Sequence, residues 1–139
     1  MTLTDARLRA LTDATWPPAL VERLGPWAIR DGAGGGNRVS AAVAAGPVDD
    51  TAIPQAEAAM RALGQVPLFR LAGPDDPLDP LLAARGYVLR DPTVAFAAPV
   101  AALAECDIPR VSLFKLLEPL AIQREIWAAG GIGPARLAV

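Results

Sequence analysis

The sequence contains no histidine, one cysteine (Cys106) and one lysine (Lys115). Without histidine there is no imidazole base for a nucleophilic triad. A single thiol excludes an intramolecular disulfide and leaves no ligand set for a structural zinc site. Aromatic residues make up only 5 % of the chain. The core is therefore expected to be mostly Leu, Val and Ala around a few large anchors: Trp16, Trp27, Phe69, Tyr87, Phe96, Phe114 and Trp127. A net charge of −2 gives no basic footprint for nucleic acid. No apolar run approaches the roughly 20 residues that span a bilayer. The opening "MTLTDARLRALTDATW" carries acids and lacks the apolar centre of a signal peptide. A lone cysteine in a charged segment suits a reducing compartment. These absences give a cytoplasmic protein without nucleic-acid, membrane or metal partners as the expectation.

What is present is a helix-and-strand alternation. Thr4 is placed to cap a helix running to about Ala14, with Leu3, Leu8 and Leu11 on one side. "WPPALVERLG" reads as a second helix, opened by its prolines and closed by Gly25. Trp27 and Ile29 alternate with Ala28 and Arg30 as a strand; Val39, Ala41 and Val43 alternate with Arg38, Ser40 and Ala42 as another. "VDDTAIPQAEAAMRALG" is a helix capped by Asp50 or Thr51 and ended by Gly64. Its apolar stripe is Ile53, Ala56, Met60 and Leu63. A short strand in "VPLFRLAG", a short helix stopped by Gly86 and a long strand in "YVLRDPTVAFAAPV" follow, with Pro92 implying an edge or bulge. The order implies an α+β (mixed α/β) fold: a central, largely antiparallel sheet with helices packed on its faces. Residues 1–100 form the main domain, 101–119 a connector, and 120–139 the start of a second domain or an association tail.

Four glycines lie between residues 32 and 36, flanked by Arg30 and Arg38. A phosphate cradle needs glycines after a strand and directly before a helix, whose N–H groups converge on the anion. Here "NRVSAAVA" follows with strand periodicity, so the run reads as a hairpin loop whose glycines allow positive φ. A second cluster, "AAGGIGPARL", reads as a helix C-cap or a mobile loop.

Three stretches, "GPWAIRDGAGGGNRVSAAVA", "AEAAMRALGQVPLFRL" and "LDPLLAARGYVLRDPTVAFAAPV", together resemble one half of a GNAT-superfamily N-acetyltransferase. The resemblance covers about Trp16 to Val100 and is nearest to bacterial members built from two GNAT-like halves in tandem. The closing "QREIWAAGGIGPARLAV" looks like the opening of the second, cofactor-binding half. The resemblance implies acetyl transfer from acetyl-CoA to an amine in the intact protein, with a C-terminal GNAT domain in cis as partner.

The departures bear on the coenzyme. In the family, the acetyl-CoA pyrophosphate lies on a glycine-rich loop with an arginine, between a strand and the next helix. The corresponding place here reads "AGPVDDTAIPQ", with Asp49, Asp50 and Pro54. Carboxylates at a helix start favour the helix and repel a pyrophosphate. "RALGQV" matches the loop in part but lies at a helix C-terminus. The family's acid tyrosine falls on Leu82, while Tyr87 matches the aromatic after the glycine and reads as a packing residue with its hydroxyl near the surface. Glu22, Glu57, Glu105, Glu118 and Glu125 lie off any strand, so no base is nominated.

The chain alone is therefore expected to bind no cofactor, to carry no catalytic residue and to be inactive. Arg30, Asn37, Arg38, Trp127 and Gly131 are its candidate substrate-facing positions, with Arg30 and Arg38 alternatively an exposed cross-strand pair of charges. The alternative is a non-enzymatic small domain that self-associates, or binds a protein partner, through its sheet edge and apolar C-terminal tail.

Overall fold

Thr4 accepts a hydrogen bond from the Arg7 N–H and starts helix α1 (Asp5–Thr15). The structure is a computed structural model and describes residues 4–105, 107 and 116–138, the Asp5 side chain excepted. Leu3, Cys106 and Phe114 lie outside the described residues. The chain divides into two compact units: residues 1–88 with 132–139, and residues 89–131.

The first unit is built on a four-stranded sheet in the order β1-β2-β3-β4. β1 (Leu20–Leu24) and β2 (Trp27–Asp31) form an antiparallel hairpin, in register from Leu20 opposite Asp31 to Leu24 opposite Trp27. This corrects the helix expected over "WPPALVERLG". The turn is two residues long: Gly25 has φ +55° and Pro26 comes next with its ring-fixed negative φ. That sign pattern is the one a type II′ hairpin turn requires. The prolines at 17 and 18 precede the strand rather than open a helix.

β2 passes through the glycine run into a single helical turn, α2 (Asn37–Ser40), then β3 (Ala42–Ala44). The strand expected from Val39 onward is thus half helix. Ser40 Oγ donates back to the Gly36 carbonyl and the Ala41 N–H to the Asn37 carbonyl, closing the turn. Val39 is buried by it. β3 still pairs antiparallel with β2, so the glycine run does connect neighbouring antiparallel strands.

A 3₁₀ turn (Asp50–Ala52) leads into α3 (Ile53–Ala62), which crosses to β4 (Phe69–Arg70), parallel to β3. Asp49, rather than Asp50 or Thr51, supplies the cap, and it caps the 3₁₀ turn, while α3, whose N-cap is Ala52, starts without a side-chain cap. α3 buries Ile53, Ala56 and Met60 against Trp27, Ile29 and Ala42 of the sheet, with Leu78 and Leu82 of α4 (Leu78–Ala84) completing the core. Leu63, expected in the stripe, is 41 % exposed. Gly64 (φ +71°) and Gly86 (φ +83°) end their helices as expected. Tyr87 packs edge-on against Phe69, whose ring lies tilted against that of Trp27.

The strand expected over "YVLRDPTVAFAAPV" is absent: residues 87–99 have no regular structure. Pro92 and Pro99 offer no N–H, Asp91 sits at φ +52°, and none of the four strands pairs with the segment. Phe96, expected as a core anchor, is 94 % exposed. The second unit holds α5 (Val100–Ala104) and α6 (Ala121–Ala129). Gln123 accepts the Leu120 N–H at the start of α6, and Gly130 caps its end, matching the C-cap reading of the second glycine cluster. α7 (Pro134–Leu137) belongs to the first unit.

Among the described residues, no helix is long and apolar enough to cross a membrane.

Candidate functional site

Side chains alternate across a strand. Trp27 and Ile29 of β2 point to the α3 face, so Arg30 points to the other. There its guanidinium is 3 % exposed. Nη1 donates to the Arg38 carbonyl at 3.0 Å, and Nη2 lies 3.2 Å from Asp13 Oδ1 of α1. Arg70 of β4 donates to the same Asp13 oxygen at 2.8 Å. Gln65 holds the backbone in place: its Nε2 donates to the Arg30 carbonyl and its Oε1 accepts the Gly32 N–H. Burial pushes Arg30 below its ordinary pKa; Asp13 opposes that and Arg70 reinforces it.

This geometry corrects the exposed cross-strand pair. Arg30 is buried, and Arg38 stands on α2 with its guanidinium 5.1 Å from the centre of the Trp16 ring. Asn37 opens α2 and is exposed. So three sequence candidates, Arg30, Asn37 and Arg38, are brought together. Trp127 lies on α6 and Gly131 just after it (φ +82°), both in the second unit. Sequence reasoning missed Asp13, Gln65 and Arg70, which lie 17, 35 and 40 positions from Arg30 and show no local pattern with it.

The glycine run is not an open cradle. The Gly32 N–H goes to Gln65, the Ala33 N–H to Asp31 Oδ1, and the Gly35 N–H to the Gly32 carbonyl. Its glycines instead admit neighbours. A Cβ on Gly34 would stand 3.1 Å from the Ala135 Cβ, and one on Gly36 3.3 Å from Arg136 Nε. Both positions have positive φ. An open apolar depression of about 210 Å³ nearby is lined by Pro17, Pro18, Ala19, Ala33, Ala135 and Ala138, none of them titratable.

At the β3-to-α3 junction, Asp49 Oδ1 accepts from the Thr51 hydroxyl at 2.6 Å and from the Thr51 and Ala52 N–H groups at 2.9 and 3.1 Å. These bonds, the Thr51 hydroxyl first, hold its carboxyl below the usual carboxylate range. Asp50 is likewise lowered, by the hydrogen bond from Arg85 Nε at 2.8 Å. Among the glutamates, Glu22 lies on β1 rather than a helix, and it is exposed. Glu57 on α3 accepts the Tyr87 hydroxyl at 2.8 Å and pairs with Arg61. Tyr87 is thus the packing residue expected, and Leu82 is buried in the core.

Burial, then the Glu57 carboxylate, push the Tyr87 phenol up to about 12. A raised phenol pKa means the folded chain holds its proton longer than the unfolded one. The associated stability is present below about pH 10 and is lost as pH rises through about 12. Tyr87 is the only tyrosine, so tyrosinate absorbance reads it directly. The midpoint is expected near 12, and in E57Q part of the way back toward 10; a wild-type midpoint at the ordinary value rules out the contact.

No protein-family model, curated protein sequence or solved structure significantly matches the chain.

Proposed function

We propose that the chain is the non-cofactor-binding, N-terminal half of a cytoplasmic GNAT-type N-acetyltransferase, inactive alone. Acetyl-CoA is bound by a C-terminal GNAT domain of the intact protein, which passes the acetyl group to an amine. The reading starts from the sequence resemblance over Trp16 to Val100. The observation that supports the missing coenzyme site is the Asp49 carboxylate. It takes up the first N–H groups of the junction where the family seats a pyrophosphate. An internal anion on those donors competes with an external one and repels it. In this reading Asn37 and Arg38, both exposed, face the acceptor side from the first unit.

Calorimetric titration of acetyl-CoA into the purified chain is expected to show no saturable heat. The coding region after Val139 is expected to carry an open frame with R-x-x-G-x-G ahead of a helix. Micromolar binding by this chain, or a stop codon there, overturns the proposal.

A second reading, self-association without catalysis, draws on the second unit. Val94, Phe96, Val100, Leu103, Ile122 and Ile126 are all exposed, more apolar surface than a small soluble unit ordinarily leaves open. It differs from the first in requiring a concentration-dependent dimer.

A further inference from the structure

We propose that Arg30 and Arg70 form an oxyanion-binding site on the α1 face of the sheet, in which Asp13 stands in for the phosphate or carboxylate group of a small ligand. The proposal does not rest on the acetyltransferase reading.

Two guanidinium groups converge on one oxygen of one carboxylate, Asp13 Oδ1, at 3.2 and 2.8 Å. One negative charge faces two positive ones. The Arg30 end of the contact is poorly directed. Nη2 is buried, and its 3.2 Å approach to Asp13 is an ion pair without the alignment of a hydrogen bond. A buried guanidinium N–H whose acceptor is poorly aligned is costly. A phosphate or carboxylate that presents separate oxygens to the two arginines removes that deficit, since guanidinium donors pair best with anions of several oxygens. Arg30 is already aimed for it. Nη1 is fixed by the Arg38 carbonyl and its own backbone by Gln65. The direction of its pKa agrees: desolvation and Arg70 both weigh against its charge, and Asp13 alone favours it.

Asp13 is the exposed member of the contact. None of the described residues of α1 is buried, and Leu11 is 49 % exposed. Asp13 itself is 46 % exposed, whereas the arginines it meets are 3 % and 20 % exposed. A helix without a buried face draws little from packing. This ion pair and the cation–π contact of Arg38 with Trp16, the C-cap of α1, add to what holds the helix.

The test uses the full chain with Asp13→Ala and measures thermal unfolding in phosphate, in acetate and in chloride at equal ionic strength. The wild type is expected to shift only a little, by the general stabilisation that phosphate gives any fold, because Asp13 competes for the site. D13A is expected to melt lower in chloride and to rise saturably, by about 4 °C or more, with phosphate, acetate or both. Which anion acts identifies the group. D13A/R70Q is expected to lose the response. D13N keeps the shape of the side chain without its charge, and carries the same expectation should D13A not fold. A D13A or D13N response no larger than that of the wild type, or one that survives R70Q, overturns the proposal.

Discussion

Replacing Trp27 with alanine is expected to cost about 3–5 kcal/mol, the range for truncating a fully buried large aromatic. That lowers the melting temperature by roughly 12 °C or more for a unit of this size. The magnitude follows from position. Trp27 is fully buried where β2 meets α3, in the cluster with Ile53, Ala56 and Met60. Its ring lies 5.1 Å from that of Phe69, which in turn carries Tyr87. It also ties the start of α3 to the sheet, because Nε1 donates to the Ala52 carbonyl at 2.9 Å. W27F separates the two contributions. It keeps an aromatic ring beside Phe69 and removes the donor, so its cost is expected near 1–3 kcal/mol. Chemical denaturation of the two variants checks both. A W27A cost below that of W27F would show that the indole is not the centre of this core.

Gly32→Ala is the second large effect, and it bears on the glycine run. Gly32 does not lie in the left-handed region, so the cost is steric and not conformational. An added Cβ overlaps Ser40 Oγ and stands 3.1 Å from both Ser40 Cβ and Val39 Cγ2. Val39 is fully buried, and Ser40 Oγ is engaged with the Gly36 carbonyl. Neither yields freely, and overpacking of this kind costs about 1–3 kcal/mol. The double-mutant cycle is the decisive measurement. S40A removes the overlapping oxygen, so G32A in the S40A background is expected to cost less than G32A alone. Strict additivity would mean that the two side chains do not meet.

Much of the fold is legible where one local signal acts alone. Thr4 announces α1, and Gly64 and Gly86 close α3 and α4. Trp27 and Ile29 mark the core face of β2 by simple alternation. Misreadings arise where two signals coincide. Pro17 and Pro18 suit a helix start, but Gly25-Pro26 is also a two-residue hairpin turn, and the long ladder between β1 and β2 favours the hairpin. Val39, Ala41 and Val43 alternate like a strand, but the side-chain bond from Ser40 to Gly36 closes a helical turn first. Val88, Val94 and Phe96 have strand propensity without a neighbouring strand, and propensity alone does not hold a ladder. The candidate site was half legible. Arg30 and Arg38 stand out beside the glycines, whereas Asp13 and Arg70 meet Arg30 only through the arrangement of α1 and β4.

The first unit is discontinuous along the chain: it is left at Val88 and rejoined at Ile132. Residues 89–131 are therefore the covalent link between two parts of one unit. α7, only four residues long, lies against Gly34 and Gly36, so the contact closes a loop in the chain. Lengthening that loop would add to its closure cost only slowly, because closure entropy grows with the logarithm of length. The glycine run thus makes room for a part of the same polypeptide that lies far along the sequence.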